Sequence, residues 1–157
     1  MKEIVLSSGE VCIVDDEDYD FLNQWKWKGI KSKSNVYAGR NARGEDGKKW
    51  KCILMHRLLL DAKKGQQVDH VNHMTLDNRR ENIRLCNQSQ NNANGRGYSK
   101  RASKYKGVSR NGTGWVARLK NDGVCIQLGT YKDEEAAARV YDAKALEVFG
   151  EFAYTNF

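Results

Sequence analysis

From Arg96 through Lys120 the chain carries eight cations and no carboxylate, a run too charged to be buried, and the composition changes at about residue 95. Its first part, GRGYSKRASKYKG, is rich in Gly, Ser, Lys and Arg and reads as a basic linker. Its second part alternates like strands, so the charges continue as a stripe aimed in one direction. A length of 157 residues leaves room for small modules on either side, since domains can be as short as about 50 residues. The expected organisation is an α+β chain with an N-terminal β subdomain over 1–55, a central module over 56–95, a basic linker over 96–104 and a C-terminal module over 105–157.

With 27 Lys and Arg against 20 Asp and Glu the net charge is +7, which favours a polyanion such as nucleic acid over an acidic small molecule. Cys12, Cys52, Cys86 and Cys125 are widely separated and form no C-x-x-C pair. That excludes a zinc ribbon and a compact disulfide framework, and leaves buried thiols in a reducing compartment as the expectation. No apolar stretch approaches the roughly 20 residues needed to span a bilayer, and MKEIVLSSGE lacks the charged-then-apolar pattern of a signal peptide. A cytosolic location without a membrane partner is expected. Proline is absent, so turns fall to the 14 glycines and to Asn and Asp.

In the first third, EIVLS, EVCIV, VYAGRNAR and KWKCILMHRLLL read as short strands, with a helical turn at DEDYDFLNQW and a polar turn at GEDGK. Trp25, Trp27, Tyr37 and Trp50 are expected to fill a core too small to be built from aliphatics. In the last third, YKGVSRN, WVARLKND and VCIQLGTY read as three antiparallel strands with turns at NGTG and NDG. The helix DEEAAARVYDAKALEVFG follows, capped by Asp133 and stopped at Gly150. Its residues Ala137, Val140, Tyr141, Ala145 and Val148 recur at helical spacing and should pack on one face of the sheet. Alternation turns Trp115, Ala117, Leu119, Ile126 and Leu128 toward that helix, and Arg118, Lys120, Cys125 and Gln127 outward.

Between these regions, DHVNHMTLDNRRENIRLCNQSQNNAN places an Asp-His pair after an apolar residue and an amide-rich helix beyond it. Metal-dependent phosphodiester cleavage needs a base to deprotonate water, a hard cation on the phosphate, and a rigid frame for both. Asp69 offers a hard oxygen ligand, His70 an imidazole base, and Asn91 a second oxygen for the same ion. In QQVDH, alternation sends Val68 and His70 to one side and Asp69 to the other, so the pair must sit at a strand terminus to converge. VNHMTLDNRRENIRL reads as a loop and LCNQSQNNAN as a short helix on which Asn87, Asn91 and Asn94 share a face. Oxygen donors of this kind suit Mg²⁺ or Mn²⁺ and disfavour zinc.

Over residues 56 to 95 the motifs MHRLLL, VDH, LDNRRENIRL and SQNNAN, in that order, resemble those of the HNH homing endonucleases. The resemblance implies a ββα-metal module in which His70 is the general base, Asp69 and Asn91 hold one divalent ion, and Asn82 braces the loop by hydrogen bonds. Arg57 is expected to hold a phosphate, His56 to be a structural hydrogen-bonder, and His73, where the family commonly has glycine, to be an exposed loop residue. The expected reaction is site-directed hydrolysis of double-stranded DNA to a 5′-phosphate and a 3′-hydroxyl. A single site would cut one strand, in a monomer or weak dimer. Such enzymes are typical of phages and mobile introns, which would place this one in a host cytosol.

From Tyr105 to Phe157, YKGVS, WVARLK, IQLGTY and EEAAARVYDAKALEVFGEFAYTNF resemble the ethylene-response-factor (Apetala-two) DNA-binding domain, which lays a three-stranded sheet in the major groove. The resemblance implies DNA contacts from Lys106, Ser109, Arg110, Asn111, Arg118, Lys120, Cys125, Gln127 and Tyr141. Ser109, Asn111, Cys125 and Gln127 replace residues of the plant family, so the plant target sequence does not carry over. The alternative is a non-catalytic regulator that binds DNA through the same sheet and keeps a relic nuclease fold; retention of Asp69, His70 and Asn91 together argues against it.

Overall fold

In the computed structural model, which describes residues 1–44, 47, 49–96 and 103–157, the chain divides into two units, Met1–Cys86 and Asn87–Phe157, each with its own apolar core. Most of the expected linker, residues 97–102, and much of the GEDGK turn lie outside the described residues.

The first unit begins with β1 (Lys2–Val5) paired antiparallel to β2 (Val11–Val14). Ile4, Leu6, Cys12 and Val14 turn inward while Val5 and Val11 face out, the period-two pattern of a half-buried sheet. Helix α1 (Asp16–Leu22) opens on Asp16, Glu17 and Asp18, which suit the positive end of a helix. The Leu22 carbonyl accepts the Trp27 Nε1–H at 2.8 Å, so the largest fully buried side chain of this core has its one polar atom paired.

A second sheet of the same unit orders β3 (Lys28–Ser32), β4 (Asn35–Arg43) and β5 (Trp50–Leu54) as an antiparallel meander. β3 was not among the expected strands, because KGIKS has a single large apolar residue and is held extended by its pairing with β4. KWKCILMHRLLL is also not one strand: β5 ends at Leu54 and helix α2 (Met55–Leu59) follows. Met55, His56 and Leu59 bury one side of that helix, and an apolar run so short fits either period. A final antiparallel pair, β6 (Gln67–His70) with β7 (Ile83–Cys86), completes the unit.

These elements share one core, in which Ile4, Leu6, Cys12, Val14, Leu22 and Trp27 meet Met55, Leu59 and Ile83. The expected boundary between 55 and 56 is therefore absent, since neither side has enough apolar surface for a core of its own. Of the four bulky residues, Trp27 is 1% exposed and Trp25 packs beside it, whereas Trp50 is 66% exposed. Trp50 pairs with Arg43 at the open end of the sheet and lies under its guanidinium at 5.6 Å. Cys12 and Cys86 are buried, Cys52 and Cys125 are exposed contrary to expectation, and all four thiols are free.

The second unit starts with α3 (Gln88–Asn94), capped reciprocally by Asn87 and Gln90. Ala93 belongs to the second core and its carbonyl accepts the Tyr154 backbone N–H, so α3 joins this unit and the expected boundary at 95 moves to 86. The antiparallel sheet β8 (Val108–Asn111), β9 (Gly114–Asn121) and β10 (Val124–Tyr131) has β9 at its centre. Helix α4 (Glu134–Phe149) packs on it, with Ala137, Ala138, Tyr141, Ala145 and Phe149 against Val108, Ala117 and Leu119. The Asp133 side chain caps α4 at Ala136 N–H, as its position suggests. Gly107 has φ +77° beneath the Tyr141 ring, where an added Cβ would lie 1.9 Å from a ring carbon, so only glycine fits. Ile126 does not face inward as expected: it is 37% exposed near the end of the β9–β10 ladder, ahead of the bulge between Gln127 and Gly129. Among the described residues no helix is long and apolar enough to cross a membrane.

Trp27→Ala is expected to lower unfolding stability by about 3–5 kcal/mol and Trp50→Ala by less than about 0.5 kcal/mol, measured by urea denaturation followed by circular dichroism. Equal losses would contradict the core assignment.

Candidate active site and nucleic-acid interface

β6 ends at His70, the strand terminus that the alternation of QQVDH required, and Asp69 and His70 are both buried there. Register pairs Asp69 with Arg84 and His70 with Ile83. The Arg84 Nε and one terminal nitrogen donate to Asp69 Oδ2 at 3.1 and 3.0 Å. That ion pair across the two strands compensates the buried carboxylate.

The loop from 71 to 82 closes on buried polar side chains. Asn82 Oδ1 accepts the Asn72 backbone N–H at 2.9 Å, its Nδ2 donates to the Asp77 carbonyl at 2.7 Å, and its own carbonyl accepts Val71 N–H at 2.8 Å. The Asp77 carboxylate accepts two guanidinium bonds from Arg79 at 2.8 Å and one from Asn72 Nδ2 at 2.9 Å. Asp77 also bridges to Ile13, whose N–H donates to the Leu76 carbonyl and whose carbonyl accepts Asn78 N–H. Arg80 adds a bidentate pair to Asp18 of α1 at 2.8 Å. β2 and α1 thus hold the loop from outside, and none of these contacts follows from the spacing of the loop residues.

His70 Nε2 lies 3.2 Å from Asn78 Oδ1, and the His56 ring meets the His70 ring edge-on at 5.1 Å. Tyr37 packs on both imidazoles, with centroids at 5.5 and 6.1 Å. Burial lowers the His70 pKa below the ordinary imidazole value, with Asn78, Asp69 and Asp77 opposing, so the ring is neutral at pH 7 and able to accept a proton. Burial pushes His56 down to about 3, assisted by His70 and Arg57. His56, expected to be a structural hydrogen-bonder, has its Nδ1 buried without a hydrogen-bond partner among the described residues. His73 is half-buried rather than exposed and has φ +64°, the left-handed region that explains why glycine suits this turn.

Arg57 differs from its expected role. Its guanidinium donates to the carbonyls of Ala62, Lys63 and Gln66 at 3.2, 2.9 and 2.7 Å, closing the turn after α2 instead of facing a phosphate.

In the second unit, register places Ser109, Arg118, Lys120, Cys125 and Gln127 on the sheet face opposite α4, with Asn111 at the edge strand's end. Arg118, Lys120, Asn111, Cys125 and Gln127 are exposed, and Ser109 is half-buried. Arg110 pairs with Trp115, so it falls on the other face and lies 4.9 Å over that ring. Lys106 is also committed elsewhere: its ammonium donates to the Ala93 carbonyl at the end of α3, and burial pushes its pKa down to about 8. Tyr141 is buried under Gly107, away from the reading face expected for it. A cleft of about 550 Å³ at the sheet edge is lined by Arg96, Arg118 and Lys120 together with Asn91 of α3. Asn91 therefore stands in the second unit, and Asp69 and His70 in the first.

Residues 54–93 match the HNH endonuclease family. The chain is 30% identical over 144 residues to an uncharacterized HNH endonuclease of Acanthamoeba polyphaga mimivirus, covering 88% of this chain and 74% of the viral protein. The chain belongs to the HNH endonucleases. It is a DNA endonuclease. It is also 45% identical over 60 residues to an AP2/ERF and B3 domain-containing protein of Oryza sativa, and 44% identical over 66 residues to an ethylene-responsive transcription factor of Arabidopsis thaliana. Those matches cover 38% and 39% of this chain but only 16% and 15% of the plant proteins, so the plant likeness is confined to a minor part of each.

Among the described residues no group of three or more His, Cys, Asp and Glu side chains is placed to hold a metal ion. The oxygen donors expected for the ion, the Asp69 carboxylate and a side-chain amide, fit a hard ion that keeps most of its shell as water and phosphate, as Mg²⁺ does. They do not fit zinc. Sequence reasoning passed over Asn78 and Arg84, and gave Tyr37 a place in the core but none beside the imidazoles. Asn78 stood inside the quoted motif LDNRRENIRL, but nothing in its spacing says which amide turns inward.

The Arg79 guanidinium holds the Asp77 carboxyl below the usual carboxylate range, with Asn72 adding and burial opposing. Because the folded pKa is the depressed one, this stabilisation is present above the unfolded value of about 3.9 and is lost as pH falls through the folded pKa. The stability advantage of wild type over Asp77→Asn is expected to be full at neutral pH and to shrink below about pH 4. Urea midpoints across that range check it, and a constant difference would contradict it.

Proposed function

We propose that the protein is a homing-type, site-directed endonuclease that uses one divalent ion, Mg²⁺ or Mn²⁺, to hydrolyse phosphodiester bonds of duplex DNA to 5′-phosphate and 3′-hydroxyl ends. The observation that carries this reading is the buried, neutral His70 at the end of β6, next to the Asp69 carboxylate and clamped by Tyr37 and His56. A neutral imidazole takes the proton of the attacking water, and burial keeps it neutral at physiological pH. The bound ion would neutralise phosphate charge and stabilise the leaving oxygen. Asp69, buried at the end of β6, would supply one oxygen to it. Asn82 does no chemistry and holds the loop that carries the Asp-His step.

The DNA is held, in this reading, by the outward face of the second unit. Arg118, Lys120 and Gln127 are its best-placed members, with Ser109 and Asn111 beside them. Arg118 carries the donors to pair with guanine and Gln127 the amide to pair with adenine, or either can contact phosphate. A unit that reads and a site that cuts, on one chain, is what supports site-directed cleavage over nonspecific hydrolysis. One such site cuts one strand, so a double-strand break requires a dimer or a second binding event.

Supercoiled plasmid carrying flanking DNA from the source genome is expected to be nicked with Mg²⁺ and left intact with EDTA. His70→Ala should lower the rate by about 10²–10⁴-fold. Cleavage that survives EDTA would overturn the metal requirement, and full activity of His70→Ala would overturn the base.

Contacts to phosphate are also separable by salt. Arg118→Ala and Lys120→Ala are each expected to reduce the slope of log affinity against log salt by about 1. Lys106→Met and Arg57→Met should leave that slope unchanged, because their charges face protein carbonyls. Binding titrations at several salt concentrations distinguish the two sets.

A further inference from the structure

A side-chain amide is nearly symmetric in shape and opposite in chemistry at its two ends, so its neighbours decide which end faces where. Asn78 is fully buried, and one end meets His70 Nε2 at 3.2 Å. The other end meets two sulfurs, Cys12 Sγ at 2.9 Å and Met55 Sδ at 3.6 Å, and those sulfurs lie 3.4 Å from each other.

A thioether has lone pairs and no hydrogen, so Met55 can only accept. The Cys12 thiol has a single hydrogen, which meets Met55 Sδ at 3.4 Å and, at a longer 3.9 Å, the Ile13 carbonyl; given to either acceptor it turns the thiol's lone pairs toward Asn78. Burial pushes the Cys12 thiol up to about 11, so that hydrogen stays in place at neutral pH. Facing an acceptor-only thioether and the lone pairs of a thiol, Asn78 must present its NH₂ group. The reverse setting would put the amide oxygen against Met55, acceptor to acceptor, and would withdraw the thiol hydrogen from the thioether. With the amide nitrogen on the sulfur side, the oxygen faces His70, and an oxygen can only accept. The His70 nitrogen in that contact must then be the one that carries hydrogen.

We infer that Asn78 is a positioning residue that fixes His70 as its Nε2–H tautomer and so assigns Nδ1 as the nitrogen that takes the proton, with the direction set by the sulfurs of Cys12 and Met55. The tautomer stands on the contacts alone; its catalytic meaning rests on the proposed base role of His70. In the step it serves, a water proton moves to Nδ1 as the water oxygen bonds to phosphorus. The bond from phosphorus to the 3′ oxygen breaks, and that oxygen takes a proton from solvent. The resulting imidazolium keeps its Nε2–H bond to Asn78 Oδ1, which strengthens as the ring becomes charged. A conventional hydrogen-bonding core could impose the same order, but sulfur acceptors do so without adding a further buried charge or amide that itself needs orienting.

The test is the nitrogen spectrum of the full-length, histidine-labelled protein in EDTA at neutral pH. The chain has 3 histidines, and subtraction of a His70→Ala spectrum identifies the signals of interest. Two-bond proton–nitrogen correlations are expected to show hydrogen on Nε2 and a bare Nδ1. Met55→Leu, which keeps the volume and removes the acceptor, is expected to give a mixture of tautomers. It should also lower kcat several-fold with KM for DNA unchanged. Asn78→Leu should abolish the preference and lower kcat by about 10- to 100-fold, the range for losing a group that orients a reacting imidazole. Hydrogen on Nδ1 in the wild type overturns the inference. So does a Met55→Leu protein with wild-type tautomer and kcat, and that variant decides the matter if Asn78→Leu fails to fold. A wild type that shows hydrogen on Nε2 yet cleaves no DNA supports the tautomer and counts against the nuclease reading alone.

Discussion

The closure of the loop between β6 and β7 on Asp77, Asn78 and Asn82 is the constraint from which the rest of the first unit follows. All three side chains are buried, and buried polar groups are costly unless every one finds a partner. Here the side-chain partners come from different parts of the chain: Asn72 and Arg79 from the loop itself, Cys12 from β2 and Met55 from α2. Removing any one strands others in an apolar surround. The result is a rigid support for the strand end that carries Asp69 and His70, obtained from neutral amides and from buried carboxylates each compensated by an arginine.

How much of this the sequence reveals depends on whether the information is local. The second unit is legible almost residue by residue, because alternating strands, a capping Asp133 and a glycine stop are short-range signals, and strand pairing there joins neighbours in sequence. Ile126 is the exception, since exposure at a ladder end beside a bulge is not a property of alternation. In the first unit the Asp-His step and the strand terminus beneath it are readable from QQVDH. The unit's boundaries are not. Ile83 and Met55 share a core with Ile4 and Leu22, and separations of that length leave no periodic trace. The same holds for Asn78, whose sulfur partners lie 66 and 23 residues away.

Charge shows the limit in another form. Counting cations locates a basic chain, yet Arg57 and Lys106 direct their donors at backbone carbonyls, one closing a turn and the other capping α3. Arg110 sits over Trp115 on the face opposite Arg118. What separates a cation available to a polyanion from one engaged in holding the fold is whether unsatisfied carbonyls lie within its reach, as they do at helix ends and tight turns. Arg118 and Lys120 are instead exposed on the sheet face opposite α4.

The dependence of the loop on Ile13 and Asp18 bears on which stretch of the chain can stand alone. The family match begins at residue 54, but a gene fragment starting there would encode a loop whose outer wall is missing. Exchange by recombination at that point would deliver an unfinished enzyme. The boundary that leaves both parts with their own cores lies at Cys86–Asn87, inside the matched segment 54–93, so the family's sequence segment and the folding units of this chain do not coincide.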